Sequence, residues 1–488
     1  MTGQDPGQDE PGERPGAGSD SELPGELDTP AGRRWPSTVI AALAVAAVVL
    51  GGLQYLPMLL SGSTETDPAP PPAATPIPQP RVDPPPVGGG NGGGAPFTPA
   101  GFLRSLNEAL AGADRERFFE LVGPGAVDGL RLWWDNMAAL GMSGAGLSVE
   151  SGTLDGLGPG GSADLTIRLG AVTLGTPRAG ADSDYAQAGQ YLVAAARYEI
   201  TVSVSASGAG RISGWRPTDP VKPWDEGPLA AVQTEHVLVA AAAGEADLLE
   251  EFAGAAEEPA AWVADHYAAE AGGPIDRFTV FLTADAERAG AWFDTEDRNA
   301  ELAGFTIPLL RPGAAPGLDP QIATDEQTPW GSTVVTIGPS GLETVEGFRS
   351  LVAHELTHAV DFAWLPVPQD RSRVISEGWA EYRQELWDSA GEFAPPGSWR
   401  AQRIQECLAS GWDYPADADF DAGGADIFCA YALSASVYAY AAELGLDLFE
   451  LARQARSSGQ PLTEVSEQLE GPDLAQTGWD DWVHSTYG

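Results

Sequence analysis

Apolar and polar residues follow three different patterns along the chain, and each predicts a different kind of element. Residues 37–60, STVIAALAVAAVVLGGLQYLPMLL, form an apolar run without a charge. As a helix rising about 1.5 Å per residue it covers roughly 36 Å, enough for the ~30 Å hydrocarbon layer of a bilayer. From residue 101 apolar positions recur at helical spacing. Leu103, Leu106 and Leu110, with Phe118, Phe119 and Val122 beyond, predict a helix over 101–122, and a second helical stretch carries Trp133 and Trp134. The period then drops to two. Leu165, Ile167 and Leu169 alternate with polar residues, as do Tyr198, Ile200, Val202 and Val204, which predicts strands. Helices followed by a meander predict a small α+β domain over 101–220.

PTDPVKPWDEGP at 217–228 marks a domain boundary by its turn-forming residues. Beyond it the pattern is mixed, predicting a second α+β domain over 229–488. Strands are expected at 233–242, 277–283 and 332–338, and a helix over 245–271 broken at Pro259. Ser340 and Glu343 have the spacing of a capping box, which opens a long helix whose stripe is Val345, Phe348 and Val352.

Composition and charge narrow the function. The 488 residues include 26 Lys+Arg against 70 Asp+Glu, a net charge of -44, so no basic surface is expected for nucleic acid. Lys222 is the single lysine, so no lysine-based chemistry is expected. The 41 Pro and 60 Gly are not evenly spread and are denser in the first hundred residues than in the rest. Residues 1–34 read as a disordered cytoplasmic tail, 35–60 as a transmembrane helix and 61–100 as a Pro/Gly-rich tether. GGGNGGG at 88–94 lacks the Gly-Lys-Ser/Thr of a phosphate loop. Arg33 and Arg34 precede the apolar run and the next basic residue is Arg81, which places the N-terminus in the cytoplasm and the folded part outside. The chain is thus expected in the cell membrane as a single-pass protein, meeting the lipid bilayer through residues 37–60. In an oxidising compartment the two cysteines, Cys407 and Cys429, are expected to pair.

The chemistry lies in His354-Glu355-Leu356-Thr357-His358 on the long helix. Residues four apart share a face, so both imidazoles can reach one Zn²⁺ at about 2.0–2.1 Å. Glu355 can stand beside the metal and accept a proton from the water it activates. A catalytic zinc keeps one coordination position open, which calls for a single further protein ligand. Glu377 in SEGWAEY supplies it after eighteen intervening residues, on what reads as a second helix. Glu381, one turn on, is placed to accept the free N–H of a ligand histidine. His236, His266 and His484 have no partner motif and read as structural or surface residues.

HELTH, eighteen residues, then the Glu of SEGWAEY resembles the gluzincin metallopeptidases, which include thermolysin-like and membrane alanyl-aminopeptidase types. The resemblance covers about residues 230–460 and is sharp at 354–358 and 377–381. It implies a two-lobed zinc peptidase in which His354, His358 and Glu377 bind one zinc ion. Glu355 is then the general base, Glu381 lies behind the ligands, and a strand borders the cleft, with 332–338 in the right order for it. It also implies an oxyanion donor from the helical lobe. Tyr431-Ala-Leu-Ser434 resembles the family's Tyr-x-x-Ser/Gly helix and makes Tyr431 the candidate, with Tyr438, Tyr440 and Tyr414 as alternatives. The Gly-Ala-Met-Glu-Asn segment of aminopeptidases is missing, so the expected activity is an endopeptidase acting on a peptide or protein. Two other readings stand beside it: a catalytically silent zinc-bound ectodomain, and a cell-surface binding module working through 101–220. The layout of that smaller domain resembles nuclear transport factor two-like domains.

Overall fold

The computed structural model describes residues 97–175, 193–218, 220–268, 276–292, 303–309, 332–364, 372–421, 426–469 and 474–488. The expected tail, the apolar run at 37–60 and nearly all of the tether lie outside the described residues. Among those described, no helix is long and apolar enough to cross a membrane.

Thr98 starts the first helix, α1 (Pro99–Ala111), by accepting from the Gly101 N–H, with Pro99 where no N–H is needed. Phe102, Leu106, Ala109 and Leu110 form its buried stripe. The single helix expected over 101–122 is two. Ala113 turns the chain at φ 47°, and Asp114 caps α2 (Arg115–Glu120) through the Arg117 N–H. Helix α3 (Val127–Ala139) buries Trp133 and Trp134, the latter 5.0 Å from Phe118 between ring centroids.

The meander follows as β1 (Gly144–Ser151), β2 (Ser162–Val172), β3 (Val193–Val204) and β4 (Gly210–Pro217), antiparallel and in sequence order. Leu165 pairs with Ile200 and Ile167 with Tyr198, so the alternating apolar residues share one face. The opposite face carries charge, including Glu150 between Arg168 and Arg197.

The segment expected as a boundary at 217–228 is buried in part. Within this segment, the short helix α4 (Pro223–Glu226) holds Trp224 at 0% exposure. Asn136 donates to the Trp224 and Gly227 carbonyls at 2.9 and 2.7 Å and accepts from the Leu229 N–H at 2.9 Å. Ile167 and Tyr198 of the first sheet share one hydrophobic cluster with Leu238, Phe281 and Phe305 of the second. The two expected domains therefore share a core, because the largest side chain of the connection is apolar and must be covered.

The second sheet contains β5 (Leu229–Gln233), β6 (Val237–Ala242), β7 (Phe278–Leu282), β8 (Gly304–Leu309) and β9 (Ser332–Ile337), in the order β5-β6-β7-β9-β8. β6, β7 and β9 run parallel; β5 and β8 are antiparallel to their neighbours. The strand expected at 233–242 is the second arm of a hairpin turning at 234–236. Between β6 and β7 lie α5 (Asp247–Phe252) and α6 (Glu257–Val263). The helical break falls before Glu257, and Pro259 sits in the first turn of α6, where its missing N–H costs nothing. A short helix, α7 (Ala286–Ala291), follows β7.

Val239, Val280 and Ile337 belong to the cluster that also contains Phe252, Val263, Phe348, Val352 and Leu356. This cluster beds α8 (Val345–Trp364) on the sheet. The cap of α8 is Thr344, whose hydroxyl accepts from the Gly347 N–H at 3.0 Å, and not Ser340, which lies in a 3₁₀ turn over Pro339–Leu342. Helices α9 (Arg373–Asp388), α10 (Trp399–Ala409), α11 (Ile427–Glu443), α12 (Leu448–Ser458), α13 (Leu462–Gln468) and α14 (Gln476–Tyr487) complete the fold. Cys407 and Cys429 are bonded, pinning α10 to α11. A buried ion pair at 2.7 Å between Asp361 and Arg456 ties α8 to α12.

Candidate metal centre

The four-residue spacing on α8 puts His354 and His358 on one face, and both are 7% exposed. α9 supplies Glu377. Its approach to α11 depends on Gly378, where an added Cβ would come within 2.9 Å of the Ser434 backbone. Ser372 and Asp417 hold the start of α9, Asp417 accepting from the Val374 N–H at 2.9 Å.

Three donor atoms converge. His354 Nε2 and His358 Nε2 are 3.2 Å apart, and each is 3.3 Å from Glu377 Oε2. Zinc–nitrogen and zinc–oxygen bonds of about 2.0–2.1 Å in a tetrahedron separate neighbouring ligand atoms by about 3.3–3.4 Å. The triangle thus has the edge length of a zinc site, and the donor set, two imidazoles and a carboxylate, suits that ion. The residues fit the metal.

The charge balance points the same way. Burial alone disfavours a charged His354, but Glu377, Glu355 and Glu381 overcome it and lift the ring to about 9. Burial alone would raise Glu377; the His358 and His354 rings hold it well below the usual carboxylate range. The cluster stabilises positive charge at the point where the three donors meet.

Glu355, next on α8, is 4% exposed and belongs to no side of that triangle. Its Oε2 accepts from Thr306 Oγ1 at 2.7 Å. Burial raises its carboxyl, with the two imidazoles and Thr306 opposing. Strand β8 brings Thr306 here and crosses close to the carboxylate. A Cβ on Gly304 would lie 3.2 Å from Glu355 Oε1. The strand beside the site is therefore β8, at the sheet edge, and not 332–338, which β7 and β8 flank on both sides.

Tyr431 on α11 reaches the site, its ring centroid 6.4 Å from that of His354. Burial, then repulsion from Glu377, Glu381 and Glu355, raises its hydroxyl far above the ordinary value, so it stays a proton donor. The other tyrosines are engaged elsewhere. Tyr438 donates to the Ile375 carbonyl at 3.0 Å, Tyr414 packs edge-on against Trp479, and Tyr440 lies against Trp482.

Glu381 does not take the position expected for it. Its carboxylate pairs with the buried Arg400 guanidinium, which also reaches Glu385 at 3.4 Å. The group facing His354 Nδ1 is Gln384 Oε1, at 3.1 Å. Gln384 lies seven residues beyond Glu377, two turns along the same helix face, and that spacing was the signal available for it. No local signal marked Thr306 or Arg400.

The remaining histidines lie apart from this centre. His236 Nδ1 is 2.6 Å from Glu257, whose carboxylate also accepts the His236 backbone N–H at 3.0 Å. Glu235 completes a second group of close ligand atoms, in which Glu257 is already engaged by the ring and the backbone N–H of His236. His266 meets the Trp262 carbonyl and His484 meets Asp480. Compared with known proteins, the chain matches no family model, no curated protein sequence and no solved structure.

Proposed function

We propose that the chain is a zinc-dependent endopeptidase of the gluzincin type, held at the cell membrane by residues 37–60 with its catalytic part outside the cytoplasm. The observation that carries this reading is the triangle of His354, His358 and Glu377, with Glu355 buried beside it and outside it. His354, His358 and Glu377 would hold a zinc ion, which would supply Lewis acidity towards a peptide carbonyl and towards water.

The chain's own residues do the rest. Glu355 accepts the proton of the attacking water and passes it to the leaving amine, and its raised carboxyl brings it nearer to the pH at which such a shuttle works best. Thr306 fixes the carboxylate so that it faces the reaction rather than solvent. Tyr431 keeps its hydroxyl proton and stabilises the developing oxyanion as a hydrogen-bond donor. Among the described residues β8 is an edge strand of its sheet beside Glu355, and it offers a template on which an extended peptide can lie. The apolar face of the 101–220 region is spent on the shared core, which favours a supporting role over an independent binding module.

Glu355→Gln preserves shape and the Thr306 contact and removes the base. The expected result is loss of peptide hydrolysis by the full chain, by at least about 10²–10⁴-fold, with zinc retained. Turnover equal to that of the unaltered protein would end this mechanism.

A further inference from the structure

On the side of His354 turned away from the donor triangle, hydrogen bonds run in series to a carboxylate. His354 Nδ1 is 3.1 Å from Gln384 Oε1. Gln384 Nε2 donates to Ser350 Oγ at 2.6 Å, and Ser350 Oγ donates to Asp388 Oδ2 at 2.6 Å. Ser350 lies one turn before His354 on α8; Gln384 and Asp388 lie one turn apart on α9. The four residues thus stitch together the two helices that carry the ligands.

The direction of this series has a chemical consequence. A carboxamide can face either way and an imidazole has two neutral tautomers, so the ends of the series decide the middle. An ionised Asp388 only accepts. It takes the Ser350 proton, and Ser350 must then accept from the Gln384 NH₂. That turns Gln384 Oε1 towards His354 and calls for a proton on Nδ1. In the neutral ring Nε2 is then the nitrogen that carries the lone pair, facing His358 and Glu377, the form a metal ligand needs once the metal has displaced the proton held there.

Asp388 meets the condition. Desolvation, opposed by the Ser350 hydrogen bond and Arg400 and reinforced by Glu385 and Glu381, raises its carboxyl to about 6. Asp388 is also open to water at the helix end. The group is ionised at neutral pH.

We propose that Asp388 and Ser350, acting through Gln384, are positioning residues that fix the Nδ1–H tautomer of His354 and so preset its Nε2 for a divalent metal. The proposal rests on the reading of His354, His358 and Glu377 as metal ligands. It assigns to Gln384 the place that Glu381, drawn off by Arg400, does not fill.

The test is the zinc dissociation constant of the full chain in detergent, by competition with a chromophoric chelator. Gln384→Met removes the acceptor at nearly constant volume and weakens zinc binding about 10–100-fold. Asp388→Ala and Ser350→Ala release the amide to turn over and weaken binding by less. Gln384→Glu restores an acceptor at Nδ1 and brings affinity back towards that of the unaltered chain, which mere loss of packing would not. Thermal unfolding in chelator shows that each variant is folded. Unchanged affinity in Gln384→Met and Asp388→Ala, with the unaltered chain binding zinc, overturns the relay and leaves the metal site standing. Failure of Gln384→Glu to recover what Gln384→Met loses overturns it as well. An unaltered chain that binds no zinc removes the metal site, and the relay with it.

Discussion

Without metal, the protein should lose stability as pH rises from about 6 to about 9, because the candidate metal centre then holds a proton on His354, where the proposed zinc would bind. His354 is 7% exposed and its Nε2 is 3.3 Å from Glu377. Burial opposes its charge, but Glu377, Glu355 and Glu381 raise it from 6.5 to about 9. At 1.36 kcal/mol per unit, that gap corresponds to about 3 kcal/mol. The sign follows from the direction of the shift. A raised histidine stabilises the fold fully below its unfolded value of 6.5, and this contribution disappears as pH climbs through about 9. Glu355, raised by burial, acts in the same sense. Glu377 is depressed; its contribution is present above its ordinary 4.5 and is lost only on strong acidification, outside this window. Zinc reverses the trend, since it competes with the proton for Nε2 and binds more tightly as pH rises. Urea unfolding followed by tryptophan fluorescence, with chelator and with excess zinc, at pH values from about 6 to about 9, measures both curves. They should diverge with increasing pH. A chelated protein equally stable across the window, or more stable at its alkaline end, refutes the electrostatic account of the centre.

On the proposed mechanism Tyr431→Phe removes a donor used only as the oxyanion develops, so kcat should fall about 10²–10³-fold with little change in KM and with zinc content intact. Undiminished kcat would transfer that role to another group. Arg456→Met leaves Asp361, at 0% exposure, without its 2.7 Å partner. The expected loss is about 3–5 kcal/mol in urea unfolding; a loss within about 0.5 kcal/mol would mean that α8 does not depend on this pair.

The residues of the centre were legible because their geometry is local. A four-residue spacing on a helix fixes the relative direction of His354 and His358, whatever surrounds them. Glu377 required only that a second helix cross the first. Glu381 and Gln384 lie on the same face as Glu377, and choosing between them required Arg400, which arrives from another helix. Strand β8 gave little signal: it is short, contains Pro308, and matters through its pairing with a strand well along the chain. Ser340 and Thr344 both resemble helix caps, and the 3₁₀ turn over Pro339–Leu342 took the first. Residues 217–228 carried a boundary's prolines and glycine, but Trp224 among them was the counter-signal that the segment had to be covered.

Diffraction recorded on both sides of the zinc absorption edge, from crystals grown with zinc, tests the central claim directly. One anomalous peak should lie about 2.0–2.2 Å from His354 Nε2, His358 Nε2 and a Glu377 oxygen, with Glu355 outside bonding range. A peak at Glu235, His236 and Glu257 instead, or none between α8 and α9, would contradict it.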